Sequence, residues 1–100
     1  MARMRYEIVL SPEALHDFRR LKANVRSVVR NAIETHLRHE PTRTSRSRIK
    51  RLRGLSRPQY RLRVGEVRVF YDVAETSVMV LAIISKSDAQ AWLKKEGEKP

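Results

Sequence analysis

Three arginines, Arg61, Arg63 and Arg68, stand in the stretch "YRLRVGEVRVFYDV", residues 60 to 73, each beside apolar or aromatic residues. Side chains alternate between the two faces of a strand, so Arg61 and Arg63 share one face. Gly65-Glu66 reads as a two-residue hairpin loop with glycine first, the type II′ pattern. That hairpin puts Arg68 on the paired strand and on the same outer face, with Val67, Val69, Tyr71 and Val73 turned the other way. A row of guanidinium forks binds phosphate bidentately and stabilises the charge that builds on a phosphorus under attack. On RNA the substrate's own 2′-hydroxyl can attack, so no protein nucleophile is needed. A proton acceptor for that hydroxyl and a donor for the leaving 5′-oxygen still help. Arginine is a poor base, because its pKa lies above about 12. Lys86, at the end of the apolar run 78–84 and beside the start of the last helix, is the best-placed lysine, and Lys50 is the alternative.

The elements that must position these cations follow from periodicity. Tyr6, Ile8 and Leu10 alternate with Arg5 and Glu7, a first strand. Ser11 is a natural N-cap, and Pro12 fits the first helical position. Ala14, Leu15, Phe18 and Leu21 recur at helical spacing, and the pattern restarts with Val25, Val28, Val29, Ala32, Ile33 and Leu37. Two helices result, an antiparallel pair packing one stripe each on a sheet. "HEPTRTSRSR", residues 39–48, ends the second helix and reads as a polar loop. After "IKRLRGLSRP" come the arginine hairpin and the apolar run "VMVLAII" at 78–84, an interior strand. "SDAQ" at 87–90 has capping-box spacing for a short last helix carrying Ala89, Trp92 and Leu93, with Gly97 as its stop and a frayed tail beyond. The fold class is α+β, in the order β-α-α-β-β-β-α, with an antiparallel-leaning sheet and the helix pair on one face.

Composition points the same way. Lys and Arg total 22 against 11 Asp and Glu, a formal charge of +11 on 100 residues. Such an excess suits a polyanionic partner. From Pro41 to Gly65 there are nine basic residues and no acid. Arg43, Arg46, Arg48, Lys50, Arg51 and Arg53 are therefore candidate RNA contacts, a solvated loop being the bland alternative. The absence of cysteine removes a disulfide framework and thiolate metal sites, and permits a reducing cytoplasm. No apolar run reaches membrane-spanning length, and the charged N-terminus does not read as a signal peptide.

Other chemistries find no foothold. His36 and His39 lie one turn apart, but no acidic partner is placed to complete a metal site, so both read as exposed helix histidines, and no metal is expected. The three glycines are scattered and form no phosphate loop. No cofactor is implied. Tyr60 and Tyr71 have core parity. Trp92 packs its helix, with base stacking open to it if the ring edges the outer face.

Taken in order, "SPEALHDFRRL" after a first strand, "RLRG" near mid-chain, "YRLRVGEVRVFYDV", and "VLAIISK" before a short last helix resemble the RelE/ParE superfamily of bacterial toxin–antitoxin toxins, the RelE branch most closely. The resemblance implies one RelE-like toxin domain over residues 1–100. It implies a cytoplasmic, ribosome-dependent endoribonuclease that cuts mRNA in the ribosomal A site through 2′-hydroxyl attack. By position, Arg61 and Arg63 occupy the places of two family lysines, and Arg68 that of the arginine on the scissile phosphate. Lys86 stands where the family commonly has an arginine taken as general acid, and Trp92 is the aromatic closest to a catalytic tyrosine. Only Arg68 is retained in kind, so the resemblance implies that electrostatic stabilisation survives, in either a slower nuclease or one whose acid–base roles have moved to Lys86. It also implies an acidic antitoxin as partner in a hetero-oligomer. The alternatives are a ParE-like toxin that inhibits DNA gyrase and an RNA-binding relic.

Overall fold

The computed structural model describes residues 4–100. Strand β1 (Glu7–Leu10) leads directly into helix α1 (Pro12–Arg20), and helix α2 (Ala23–Leu37) follows after two residues. Ser11 makes that first junction. Its Oγ accepts from the Ala14 N–H at 3.0 Å and donates to the Leu81 carbonyl at 3.2 Å, so one hydroxyl caps α1 and ties it to the sheet. Where β1 ends, its neighbour's ladder would lose a partner. The Asp17 carboxylate takes over, accepting from the Ile83 N–H at 3.0 Å.

Four more strands complete the sheet: β2 (Ile49–Arg51), β3 (Tyr60–Val64), β4 (Val67–Val73) and β5 (Ser77–Ser85), followed by helix α3 (Lys86–Glu96). Their spatial order is β1-β5-β4-β3-β2, with β1 parallel to β5 and every other pair antiparallel. Sequence pattern misses β2, because three residues are too short to show alternation. The apolar run reads correctly as interior, β5 lying between β1 and β4. At the hairpin Gly65 has φ +57° while Glu66 is not left-handed, as a type II′ turn requires.

The core fills the face under α1 and α2. Ala14, Val29, Ile33 and Leu37 meet Ile49, Leu62, Val69, Tyr71, Val78, Val80 and Ile83 there. α1 lies against β1 and β5, and α2 against β3. Tyr71 is fully buried, stacks on Tyr60 with ring centroids 5.5 Å apart, and donates its hydroxyl to the Pro41 carbonyl at 2.7 Å. A register shift between Phe70 and Tyr71 skips one residue of β5. It lets Tyr71 face Val80 in the core while Phe70 faces Ala82 on the opposite side.

Two expectations about the C-terminus change. α3 starts at Lys86 with Ser85 as N-cap and no side-chain cap, so the "SDAQ" spacing does not act as a capping box. Strand pairing holds that start instead, the Lys86 N–H donating to the Glu66 carbonyl at 2.7 Å. Gly97 does end α3, its N–H bonded to the Leu93 carbonyl at 2.8 Å. The tail beyond is paired, not frayed. Glu98 exchanges backbone bonds with Ser56 and Arg57, three of them between 2.7 and 3.4 Å. No helix among the described residues is long and apolar enough to cross a membrane.

Candidate nucleic-acid interface

Directly opposed residues of paired antiparallel strands point to the same face. On the side away from α1 and α2 this gives two rows. One runs Arg63–Arg68–Ile84, with the Arg63 N–H donating to the Arg48 carbonyl at 2.8 Å on the far side of β3. The other runs Lys50–Arg61–Phe70–Ala82. β2 therefore adds Lys50 to the arginine face that alternation anticipated, across a strand spacing of about 4.8 Å.

The three arginines differ in exposure. Arg63 is exposed, Arg61 half-buried, and Arg68 is only 6% exposed. Sequence reading has Arg68 displayed beside its neighbours. It is on that face but sunk into it, donating from Nη1 to the carbonyls of Gly65 at 2.8 Å and Val67 at 3.1 Å. Arg68 thus braces the turn whose Glu66 carbonyl also accepts from the Lys86 N–H, so the same turn anchors both residues at one end of the sheet. Arg61 has a buried Nε that donates to nothing among the described residues. Burial first, then the charges of Arg68 and Arg63, hold its pKa below the usual arginine value. Among the described residues none of the three makes an ion pair. Asp72, the acid that β4 turns to this face, is engaged by Arg57 Nε at 3.1 Å and by the Gln59 N–H at 2.8 Å.

α3 covers part of the same face. The half-buried Trp92 ring stacks on Phe70 with centroids 4.9 Å apart and planes 17° from parallel. Trp92 is thus packed on the arginine side of the sheet. Phe70, which shares the parity of Arg68, is the residue that sequence reading left without a role. Lys86 is exposed at the start of α3. The basic segment is dispersed. Lys50 joins the face, whereas Arg51 turns to the other side, with its guanidinium 5.1 Å from the Tyr60 ring centroid and a bond to the Gln59 carbonyl at 3.1 Å. Arg43 pairs with Glu40 at 2.9 Å, and Arg46 and Arg53 are exposed in the flanking segments. Sequence reading puts both His36 and His39 on a helix. His39 lies past the end of α2 and is exposed, whereas His36, in the last turn of α2, is half-buried because the segment entering β2 folds against it. What the face can do is grip and neutralise phosphate, with one aromatic stack beside it.

The family model of the ParE toxin of type II toxin–antitoxin systems, parDE, matches residues 8–90, and this chain belongs to that family. Solved structures share its fold. The toxin–antitoxin complex RelBE2 of Mycobacterium tuberculosis is similar with a TM-score of 0.68 at 23% identity, over 85% of this chain and 95% of that one. A RelB–RelE antitoxin–toxin complex from Methanococcus jannaschii gives 0.63 at 16%, over 84% and 96%. An archaeal RelE–RelB complex from Pyrococcus horikoshii gives 0.62 at 20%, over 83% and 97%. At these identities the likeness is one of fold. Comparison with curated proteins yields no match.

Proposed function

We propose that this toxin is a ribosome-dependent endoribonuclease that inhibits translation by cutting mRNA in the A site. The observation that carries the reading is the set of three guanidiniums on one sheet face without a carboxylate partner among the described residues, one of them with a buried, unbonded Nε. Burying cations together is unfavourable in the free protein, and a phosphodiester relieves it. Arg61 and Arg63 hold the phosphate and Arg68 sets the turn beside it. The substrate 2′-oxygen attacks phosphorus, the bond to the 5′-oxygen breaks, and a 2′,3′-cyclic phosphate and a 5′-hydroxyl result. The 2′-hydroxyl proton passes to solvent water, and Lys86 donates a proton to the leaving 5′-oxygen and regains one from solvent. Trp92, seated on Phe70, offers its edge to a base. Arginine positions charge but accepts protons poorly, so proton abstraction from the 2′-hydroxyl limits the rate.

The partner is an acidic antitoxin that covers this surface, since +11 charges favour a polyanionic neighbour and the structural relatives above are toxin–antitoxin complexes. The test is primer extension on mRNA incubated with the purified protein, with and without programmed ribosomes. The expected result is cuts that require ribosomes and are lost in Arg61→Ala and Arg63→Ala, both folded by thermal unfolding. The second reading, inhibition of DNA gyrase, is favoured by the match to the ParE family model. Intact mRNA together with loss of gyrase supercoiling would establish it instead.

A further inference from the structure

A cavity of about 290 Å³ opens at the β2 edge, between the last turn of α2 and the segment that enters the strand. α2 supplies Thr35 and His36 to its wall, and the entering segment supplies Ser45 and Arg48 over the buried floor of Ile49. The remaining wall is Glu40 and Arg43, whose charges cancel in their 2.9 Å ion pair. Arg48 is left as the surplus charge, with no ion pair among the described residues. Ser45 Oγ accepts from the N–H groups of Arg48 at 3.0 Å and Ile49 at 3.3 Å, so its own hydrogen remains available to donate. Its unspent groups are thus a guanidinium, an imidazole and two hydroxyls, a set that donates to an anion.

We propose that this cavity binds a phosphate group of the RNA strand one step beyond the arginine face, with Arg48, His36, Thr35 and Ser45 as its contacts. Adjacency supports the assignment, because the Arg48 carbonyl accepts from the Arg63 N–H, so the cavity adjoins the arginine face at the sheet edge. That the phosphate belongs to RNA rests on the function proposed above; that the site takes phosphate does not. His36 is the reporter. Its pKa is held below the usual value by burial first and then by Arg48. The charged groups that share the cavity with it are Arg48, Arg43 and Glu40. A bound phosphate cancels the Arg48 field and favours the imidazolium, so the His36 titration moves to higher pH on binding.

The experiment is NMR titration of the three histidine imidazoles in the full chain, first with inorganic phosphate and then with a short 2′-O-methyl RNA that cannot be cut. The expected result is an upward move of the His36 midpoint with both ligands, while His16 and His39 stay in place. Arg48→Ala should weaken phosphate about tenfold, as loss of a charge-assisted contact does. Arg63→Ala should weaken RNA but leave the phosphate response intact. Equal movement of all three histidines, or an unchanged response in Arg48→Ala, overturns the site. A response to phosphate but not to bound RNA overturns the strand assignment. Cleavage is read separately, so a silent His36 in an active nuclease rejects the cavity alone. Intact mRNA with a responsive His36 rejects the nuclease alone.

Discussion

Arg63→Gln should make the free protein more stable and the toxin weaker. Arg63 faces Arg68 directly across β3 and β4, and Arg61 lies on the same face. Like charges in opposed cross-strand positions destabilise by about 0.2–1 kcal/mol. Arg63 is exposed and solvent screens it, which places the gain near the middle of that range, at about 0.5 kcal/mol. For a chain of this length 1 kcal/mol moves the unfolding midpoint by roughly 4–8 °C, so the expected rise is about 2–4 °C. Glutamine keeps part of the stem and a neutral polar end while removing the charge. The assay is thermal unfolding at low salt and again at about 1 M salt, where the screening length shrinks to about 3 Å and the gain should vanish. In parallel, binding to single-stranded RNA should lose one phosphate contact, lowering the slope of log affinity against log salt by about 0.7. An unchanged or lower midpoint at low salt would refute the idea that the cations repel. A gain that persists at high salt would refute its electrostatic origin.

Tyr71→Phe leaves the buried Pro41 carbonyl without its donor and should cost about 1–3 kcal/mol in denaturant unfolding. Burial, and then Tyr60, raise the Tyr71 pKa. The unfolded phenol therefore loses its proton first, and stability should fall as the pH rises above about 10. In Tyr71→Phe this part of the alkaline loss disappears, which a pH series of unfolding midpoints would reveal. Ser11→Ala removes both the α1 cap and the tie to Leu81, and a loss of about 1–2 kcal/mol should appear by the same measurement. At Gly97 a Cβ would fall 2.5 Å from the Leu93 carbonyl oxygen. Gly97→Ala should accordingly displace the tail from Ser56 and Arg57, seen as faster amide exchange at Arg57 and Glu98 with the sheet core unaffected.

Much of the fold is legible in the chain because its rules are local. The period-2 alternation of residues 60–73 separates arginines from valines and assigns each set a face. Ser11-Pro12 marks the start of α1, and the apolar spacing of residues 14–37 announces two helices under one core. The core roles of Tyr60 and Tyr71 follow from the same parity. The start of α3 is less legible, because backbone pairing between Lys86 and Glu66 overrides a capping pattern two residues later.

By itself, then, the sequence determined that three arginines share a sheet face in a very basic chain, since alternation is a property of the strand backbone. Tertiary structure alone decided how that face is finished. It brought β2 beside β3, placing Lys50 opposite Arg61, and it sank Arg68 against the β3–β4 turn. It also laid Trp92 over Phe70 and folded Arg48 toward His36. Each of these joins residues distant along the chain. Such contacts depend on which surfaces remain to be buried once the strands have paired, and no local period records that.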